Sequence, residues 1–157
     1  MQLTAYRKKR NLKKSGEPKS KIKKTSKQKI FVIHKHYATH LHYDLRLEIN
    51  RVLKSWAVPK QPPKIKNLKR LAIKVEDHPL GYANFKGTIP QGNYGAGKVE
   101  IWDKGTYELI DAEGDPVGKK DSKKIIFELY GKKLKGKYVL VKTDYLKNKK
   151  SWLFFKI

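Results

Sequence analysis

The chain has 157 residues, with 38 Lys and Arg against 14 Asp and Glu, a formal net charge of +24, and no cysteine. That length suits one domain with a real hydrophobic core, and the missing cysteine excludes disulfides, zinc ribbons and thiol chemistry. The charge implies a polyanionic partner, nucleic acid before any other, bound through phosphate neutralisation; the bland competitors are a surface charged for solubility and the lysine-rich composition of some thermophiles.

Residues 1–29 hold 12 Lys or Arg and a single acid, Glu17. They carry too few apolar residues to fold as a unit and read as a basic N-terminal arm, either an inert solvated tail or a segment that wraps nucleic acid. No apolar run approaches the ~20 residues of a membrane span, no apolar stretch resembles the core of a signal peptide, and no basic amphipathic helix is visible. The expectation is a cytoplasmic, nucleoid-associated monomer without membrane contact.

From Ile30 to Ile157 the chain reads as one folded domain, a series of short apolar or alternating runs: KIFVIHKH, HLHYDLRLEI, VLKSWAV, RLAIKVE, KVEIWD, GTYELI, KIIFELY, GKYVLVKT and SWLFFKI. They are rich in Val, Ile, Tyr, Phe and Trp, and QPPK, DHPLG, DKG, AEGDPVG and LYGKKLKG punctuate them as turns. No stretch sustains a 3.6-residue period. The predicted fold is mainly β, a compact antiparallel barrel of about eight strands with few short helices, a closure that also removes sheet edges.

The first two runs hold four of the chain's five histidines. Alternation from Leu41 puts Leu41, Tyr43, Leu45 and Leu47 on one face of a strand and His42, Asp44, Arg46 and Glu48 on the other. If Tyr37 to Leu41 turn the chain back, His36 and His42 face each other with Asp44 one strand period further on. Two neutral imidazoles and a carboxylate form a facial set for a borderline divalent metal, with positions left open for water and substrate; Ca²⁺ would use more oxygens. Taken alone, a histidine-rich strand is more often structural than ligating, and His34 and His40 read as bystanders, one sharing the strand face and one bracing the turn. Arg46 lies about 7 Å beyond Asp44 at strand spacing. It is suited to clamp a phosphate in bidentate fashion, or to pair with Asp44 or Glu48 across the sheet.

Further along, Glu76 and His78 share one face at the end of RLAIKVE, and Tyr82 follows the Pro79 to Gly81 turn. His78 could bind phosphate or act as a general acid, and Tyr82 could donate to a phosphate oxygen; the plain alternatives are a turn residue and a packing residue. Gly92 to Lys98 matches the spacing of a nucleotide-binding P-loop except at its last position, where Val99 replaces the required Ser or Thr. A strand rather than a helix follows, so the glycines read as a tight turn, one that could let backbone approach nucleic acid.

These residues, in this order, resemble the 3'-phosphoesterase domain of bacterial DNA ligase D, a family that also occurs as free-standing archaeal and bacterial proteins. The resemblance is carried by AYRKKRNL, FVIHKHYATHLHYDLRLE, LKSWAVPKQP, RLAIKVEDHPLGYANFKGTIPQGNYGAGKVEIWDKGTY, GKKLKGKYVLVKT and WLFFKI, nearly the whole chain, with HYDLRLE and EDHPL together its most specific part. It implies a β-barrel with a groove and metal-dependent resection of DNA 3' ends: loss of a terminal 3' ribonucleoside from a primer-template by phosphodiester cleavage, then of the remaining 3'-phosphate, leaving a 3'-OH. Manganese is the family's usual metal, with Co²⁺ or Zn²⁺ as substitutes, and a DNA ligase, a polymerase and the end-binding protein Ku are its usual company in non-homologous end joining. By position, the resemblance puts the metal on His36, His42 and Asp44 and the scissile phosphate on Arg46, His78 and Tyr82, with supporting roles for Arg10, Glu17, Lys60, Arg70 and Glu76. Asn11 stands where the family usually has Asp, and His34 where Gln is usual. The rival expectation from another class is a non-catalytic basic β-barrel that binds nucleic acid, with its histidines structural.

Overall fold

The computed structural model describes Leu3, Tyr6 and residues 28–113, 123–144 and 150–157. Among the described residues, nine strands follow in chain order: β1 (Lys29–Tyr37), β2 (Leu41–Ile49), β3 (Val52–Val58), β4 (Arg70–Pro79), β5 (Gly87–Ile89), β6 (Gly97–Glu113), β7 (Lys124–Tyr130), β8 (Lys135–Lys142) and β9 (Ser151–Lys156). A 3-10 helix, Leu80–Asn84, links β4 to β5. Antiparallel pairs run β1-β2-β3-β4-β9-β8-β7-β6, and β6 returns to pair with β1. Eight strands therefore close a barrel, and the short β5 is appended to β6 through Gly87 to Ile89. Of the arm expected over residues 1–29, Leu3, Tyr6, Gln28 and Lys29 are among the described residues, while Arg10, Asn11 and Glu17 lie outside them.

Alternation decides which side of the wall each residue meets. Phe31, Ile33, Leu45, Leu47, Trp56, Ala72, Tyr107, Phe127, Tyr138, Leu140, Trp152 and Phe154 come from all eight barrel strands and fill the lumen. Each of the larger side chains stabilises the fold by about 1.5–3 kcal/mol through burial. A second, smaller cluster lies on the other side of the same wall: Val32 and Leu53 from the strands, Leu80, Tyr82 and Ala83 from the 3-10 helix, and Tyr6 from the N-terminal segment. That cover explains a departure from the simple amphipathic expectation for β2. Leu41 is exposed, whereas Asp44, Arg46 and Glu48 on the polar face are as buried as Tyr43, Leu45 and Leu47 on the apolar one.

Two predicted turns are instead irregularities within strands. The DKG signal does not end a strand, because β6 runs unbroken from Gly97 to Glu113. Opposite Ile33 and His34 its partner jumps from Asp103 to Ile101, so Trp102 is the extra residue of a bulge, the local bend that carries one long strand from β1 to β7. Similarly, the DHP of DHPLG belongs to β4. There the register with β3 passes from Ser55↔Val75 to Leu53↔His78, leaving Glu76 and Asp77 opposite Lys54, and this shift turns His78 onto the outer wall.

Asp103 itself is buried, and its carboxylate accepts the backbone amides of Lys104, Lys132, Lys133 and Leu134. It thereby closes the turn between β7 and β8. Gly131 makes room for it, since a Cβ there would lie 2.3 Å from Asp103 Oδ2. Removing the acceptor strands donors that cost about 1–3 kcal/mol apiece when buried and unpaired. The substitution Asp103→Ala is expected to lower stability by roughly 3 kcal/mol, read as a lower urea midpoint at unchanged slope. A midpoint equal to that of the unsubstituted protein would show that the turn holds itself.

Candidate active site

The turn Tyr37 to Leu41 brings β1 and β2 into register with His36 opposite His42 and His34 opposite Asp44. The two imidazoles at the end of this hairpin meet edge-on, with ring centroids 4.8 Å apart. Asp44 Oδ2 lies 3.8 Å from His36 Nδ1 and 3.3 Å from His42 Nε2. The remaining nitrogen of each ring faces a backbone carbonyl: His36 Nε2 donates to Gly95 O at 2.7 Å and His42 Nδ1 to His40 O at 3.0 Å. In its neutral form, each ring that donates to a carbonyl keeps a lone pair on its opposite nitrogen, the atom turned towards Asp44.

Three donor atoms, one from each of His36, His42 and Asp44, lie within 4.8 Å of one another. Donors that ligate one ion at about 2.1 Å stand roughly 3 to 4 Å apart, so the cluster needs only small rotamer shifts to close on a metal. Its mixture of imidazole and carboxylate suits a divalent transition ion. Burial alone would push the Asp44 carboxyl up, but the Arg46 charge and the two imidazoles outweigh it and hold the carboxyl well below its usual range. Burial likewise opposes charge on His42, yet its hydrogen bond to Asp44 and that residue's charge raise its pKa.

The second half of the site is built around Arg46, which is 4% exposed. Its Nη2 lies 3.3 Å from Asp44 Oδ2, its Nε donates to His34 Nδ1 at 3.1 Å, and its Nη1 donates to Ser55 Oγ at 2.9 Å and lies 3.2 Å from His78 Nδ1. The guanidinium also sits over the Tyr82 ring, 4.9 Å from its centroid. Of the two pairings open to Arg46 within the sheet, the one with Asp44 forms; Glu48 instead accepts the amide of Ile30. His78 Nδ1 is 3.0 Å from the carbonyl of Glu76, and Tyr82 is buried in the 3-10 helix.

His36, His42, Asp44, Arg46, Glu76, His78 and Tyr82 all line one cavity of about 800 Å³. Its remaining wall includes the β1–β2 turn and the loop Gln91 to Gly97. The glycine-rich loop leads into a strand, as expected, and its contribution to the site is the carbonyl of Gly95. Lys60 and Arg70 do not line the cavity: Lys60 is exposed after β3, and Arg70 Nε donates to Gln61 O at 3.0 Å, pinning that loop. Arg10 and Glu17 lie outside the described residues.

His34 is no bystander. Fully buried, it accepts from Arg46 and donates through Nε2 to Phe85 O at 3.0 Å. His40 does brace the turn, through its carbonyl. Ser55, Gly95 and Phe85 were not singled out from the sequence. Ser55 carries a weak signal, as the one hydroxyl in the run VLKSWAV, while the other two act through backbone oxygens that any residue would supply.

The eight-stranded barrel thus bears on its outer wall two imidazoles and a carboxylate that could hold a metal ion, beside a buried guanidinium and a further imidazole. The family model described as the DNA Ligase D 3'-phosphoesterase domain matches residues 34–142, and the chain belongs to that family. It is 46% identical over 143 residues, 90% of its length, to the multifunctional non-homologous end joining DNA repair protein LigD of Mycobacterium tuberculosis. It is 43% identical over 156 residues, 98% of its length, to the multifunctional non-homologous end joining protein LigD of Pseudomonas aeruginosa, and 44% over 160 residues to that of Mycolicibacterium smegmatis. The chain spans about a fifth of the length of these relatives, 18% to 20%.

Burial and the neighbouring Arg46 charge lower the His34 pKa from 6.5 to about 3. Between those values the unfolded chain takes up a proton that the folded chain refuses, so stability falls as pH drops below 6.5. His34→Gln keeps an acceptor for Arg46 and a donor for Phe85 without a titrating group. The loss of thermal stability between pH 7 and pH 4.5 is therefore expected to be smaller in His34→Gln than in the unsubstituted protein; equal losses would mean that His34 already titrates normally.

Proposed function

We propose that this chain is a divalent-metal-dependent phosphoesterase that processes DNA 3' ends, and that the metal is Mn²⁺, with Co²⁺ or Zn²⁺ able to replace it. The observation that carries this reading is the convergence of His36 Nδ1, His42 Nε2 and Asp44 on one wall of the cavity that Arg46 and His78 also line. In the first reaction, water cleaves the diester linking a terminal ribonucleoside to the primer, releasing the ribonucleoside and leaving a 3'-phosphate. In the second, water removes that phosphate as inorganic phosphate and leaves a 3'-OH.

His36, His42 and Asp44 hold the ion, which when bound supplies Lewis acidity at a phosphate oxygen. Arg46 is locked in place before substrate arrives, so its charge needs no reorganisation to meet negative charge building on phosphate oxygens. His78, also held beside Arg46, donates a hydrogen bond or a proton to the phosphate or its leaving oxygen. Tyr82 donates from its hydroxyl and supports the guanidinium with its ring face. Glu76 positions His78 through its carbonyl. Lys60, Arg70 and the arm residues Arg10 and Glu17 act further out, on the primer-template rather than on the reacting phosphate. Diester and monoester share the same phosphate contacts, and only the leaving group differs.

The net charge of +24 supports a nucleic-acid substrate held by its backbone, without sequence reading. The names of the relatives support a place in non-homologous end joining; we place the protein in the cytoplasm at the nucleoid, preparing ends for a polymerase and a ligase with Ku as end-binding partner. Among the described residues no helix is long and apolar enough to cross a membrane.

The test is a labelled primer-template ending in one 3' ribonucleotide, incubated with Mn²⁺, Co²⁺, Zn²⁺ or a chelator. The expected products appear in sequence, first the 3'-phosphate and then the 3'-OH, and the chelator prevents both. His42→Ala should abolish both steps while DNA affinity changes less than about twofold, since affinity resides in the Lys and Arg background. Binding without product under every metal would favour a non-catalytic nucleic-acid-binding barrel.

A further inference from the structure

The connections at one end of the barrel carry a charge that the site itself does not use. Because neighbouring strands are antiparallel all round the wall, the β1–β2 turn, the connection from β3 to β4, the loop before β6 and the β7–β8 turn share that end. Within them, residues 59–69 and 131–134 hold six lysines and no acid, and all six lysines are exposed. The outer face of β6 and β7 by contrast carries acids, with Glu108 opposite Glu128 and Asp111 exposed.

Two of the lysines converge on one aromatic ring. Trp102, the extra residue of the β6 bulge, packs against the lumen cluster yet stays partly exposed. The Nζ of Lys133 lies 4.6 Å from its ring centroid and that of Lys64 5.7 Å. Two ammonium groups drawn to one ring repel each other, and among the described residues neither has a carboxylate within ion-pairing distance. Both lysines stand on held backbone. Tyr138 Oη donates to Pro63 O at 2.8 Å and Asn67 N to Lys156 O at 2.8 Å, while the Asp103 carboxylate accepts the amides of Lys132, Lys133 and Leu134.

This patch is continuous with the cavity. Trp102 meets Tyr43 edge-on at 5.6 Å between centroids, Lys35 Nζ lies 5.8 Å from the Tyr43 centroid and 5.3 Å from that of Tyr37, and Tyr37 lines the cavity beside His36. Glu100, the acid near Lys35, pairs with Lys98 Nζ at 3.3 Å.

We propose that this lysine-bearing end of the barrel is the docking surface for the phosphate backbone of nucleic acid, with Lys64 and Lys133 each contacting a phosphate beside Trp102 while the strand end lies in the cavity. Charge complementarity selects the occupant. Cations carried on fixed connections, without counter-charge of their own, meet a polyanion at reduced ordering cost and gain from counterion release. Which end of the strand enters the cavity rests on the phosphoesterase reading; the docking surface does not.

Two double substitutions of equal charge provide the test. Lys64→Gln with Lys133→Gln removes the pair over Trp102, and Lys123→Gln with Lys124→Gln removes two lysines at the opposite end, where β7 begins. Binding of a fluorescent primer-template with a 3'-OH end is followed by anisotropy in the presence of chelator, between about 50 and 200 mM NaCl. Each phosphate contact contributes about 0.9 to the slope of log affinity against log salt, so losing Lys64 and Lys133 should lower the slope by about two and weaken binding by about tenfold at the lowest salt. Losing Lys123 and Lys124 should leave the slope in place. In the unsubstituted protein, acetylation read by mass spectrometry should fall at Lys64 and Lys133 when primer-template is bound and stay constant at Lys123. Equal slopes in the two double variants would overturn the proposal, as would equal acetylation of Lys64 and Lys133 with and without nucleic acid. Loss of binding to phosphatidylserine vesicles with primer-template affinity intact would overturn it too. Turnover of the ribonucleotide end is scored separately: protein that binds through these lysines but cleaves nothing under any metal removes the phosphoesterase reading alone, whereas cleavage with unaltered slopes removes the docking surface alone.

Discussion

A guanidinium buried in the wall of a β-barrel sets the terms for everything around it. A charge taken out of water costs several kcal/mol unless neighbouring groups replace its hydration. Arg46 finds those groups in every adjoining element: His34 on β1, Asp44 on its own strand, Ser55 on β3, His78 on β4 and the face of Tyr82 in the 3-10 helix. Satisfying the cation and assembling the site are therefore the same structural act. The arrangement also explains why the residues of the site are held before any ligand arrives. Each is already a partner of Arg46 or of a partner of Arg46.

The candidate site lies outside the barrel rather than within it. The lumen is packed with large apolar and aromatic side chains from all eight strands and leaves stability to hydrophobic burial. On the outer face of the same strands, the 3-10 helix and Tyr6 exclude water from the Arg46 side, while the cavity opens over His36 and His42. Around Arg46 and Ser55, strands β2 and β3 consequently have two buried faces with different contents, apolar inside and largely polar outside.

How much of this could be read from the sequence follows from which interactions are local. The alternation in HYDLRLE and the short turn before it were enough to oppose His36 to His42 and to put Asp44 and Arg46 on one face, because hairpin pairing depends on adjacent sequence. The barrel itself was legible from run lengths and turn residues. What escaped was of three kinds. Bulges hid in apparent turns, so that DKG suggested a break where Trp102 is only an extra residue in β6. Backbone acceptors such as Gly95 O and Phe85 O have no residue signature. Burial of the polar face of β2 depended on cover from Tyr6 and residues 80 to 85, distant in sequence; without that cover His34 looked incidental, although it receives a hydrogen bond from Arg46.

Because His36, His42, Asp44, Arg46 and His78 sit within paired strands, their placement is governed by register. A chemistry carried on loops tolerates insertions and deletions and can be remodelled by exchange of segments. Here, one residue gained or lost within β2 between His42 and Arg46 would send one of the two side chains into the lumen, placing a charge or imidazole among Leu45, Trp56 and Phe127 and leaving its former partners bare. The evolutionary freedom of the outer wall is accordingly confined to point substitution, whereas the loop from Pro90 to Gly97 remains the part of the cavity that can change length.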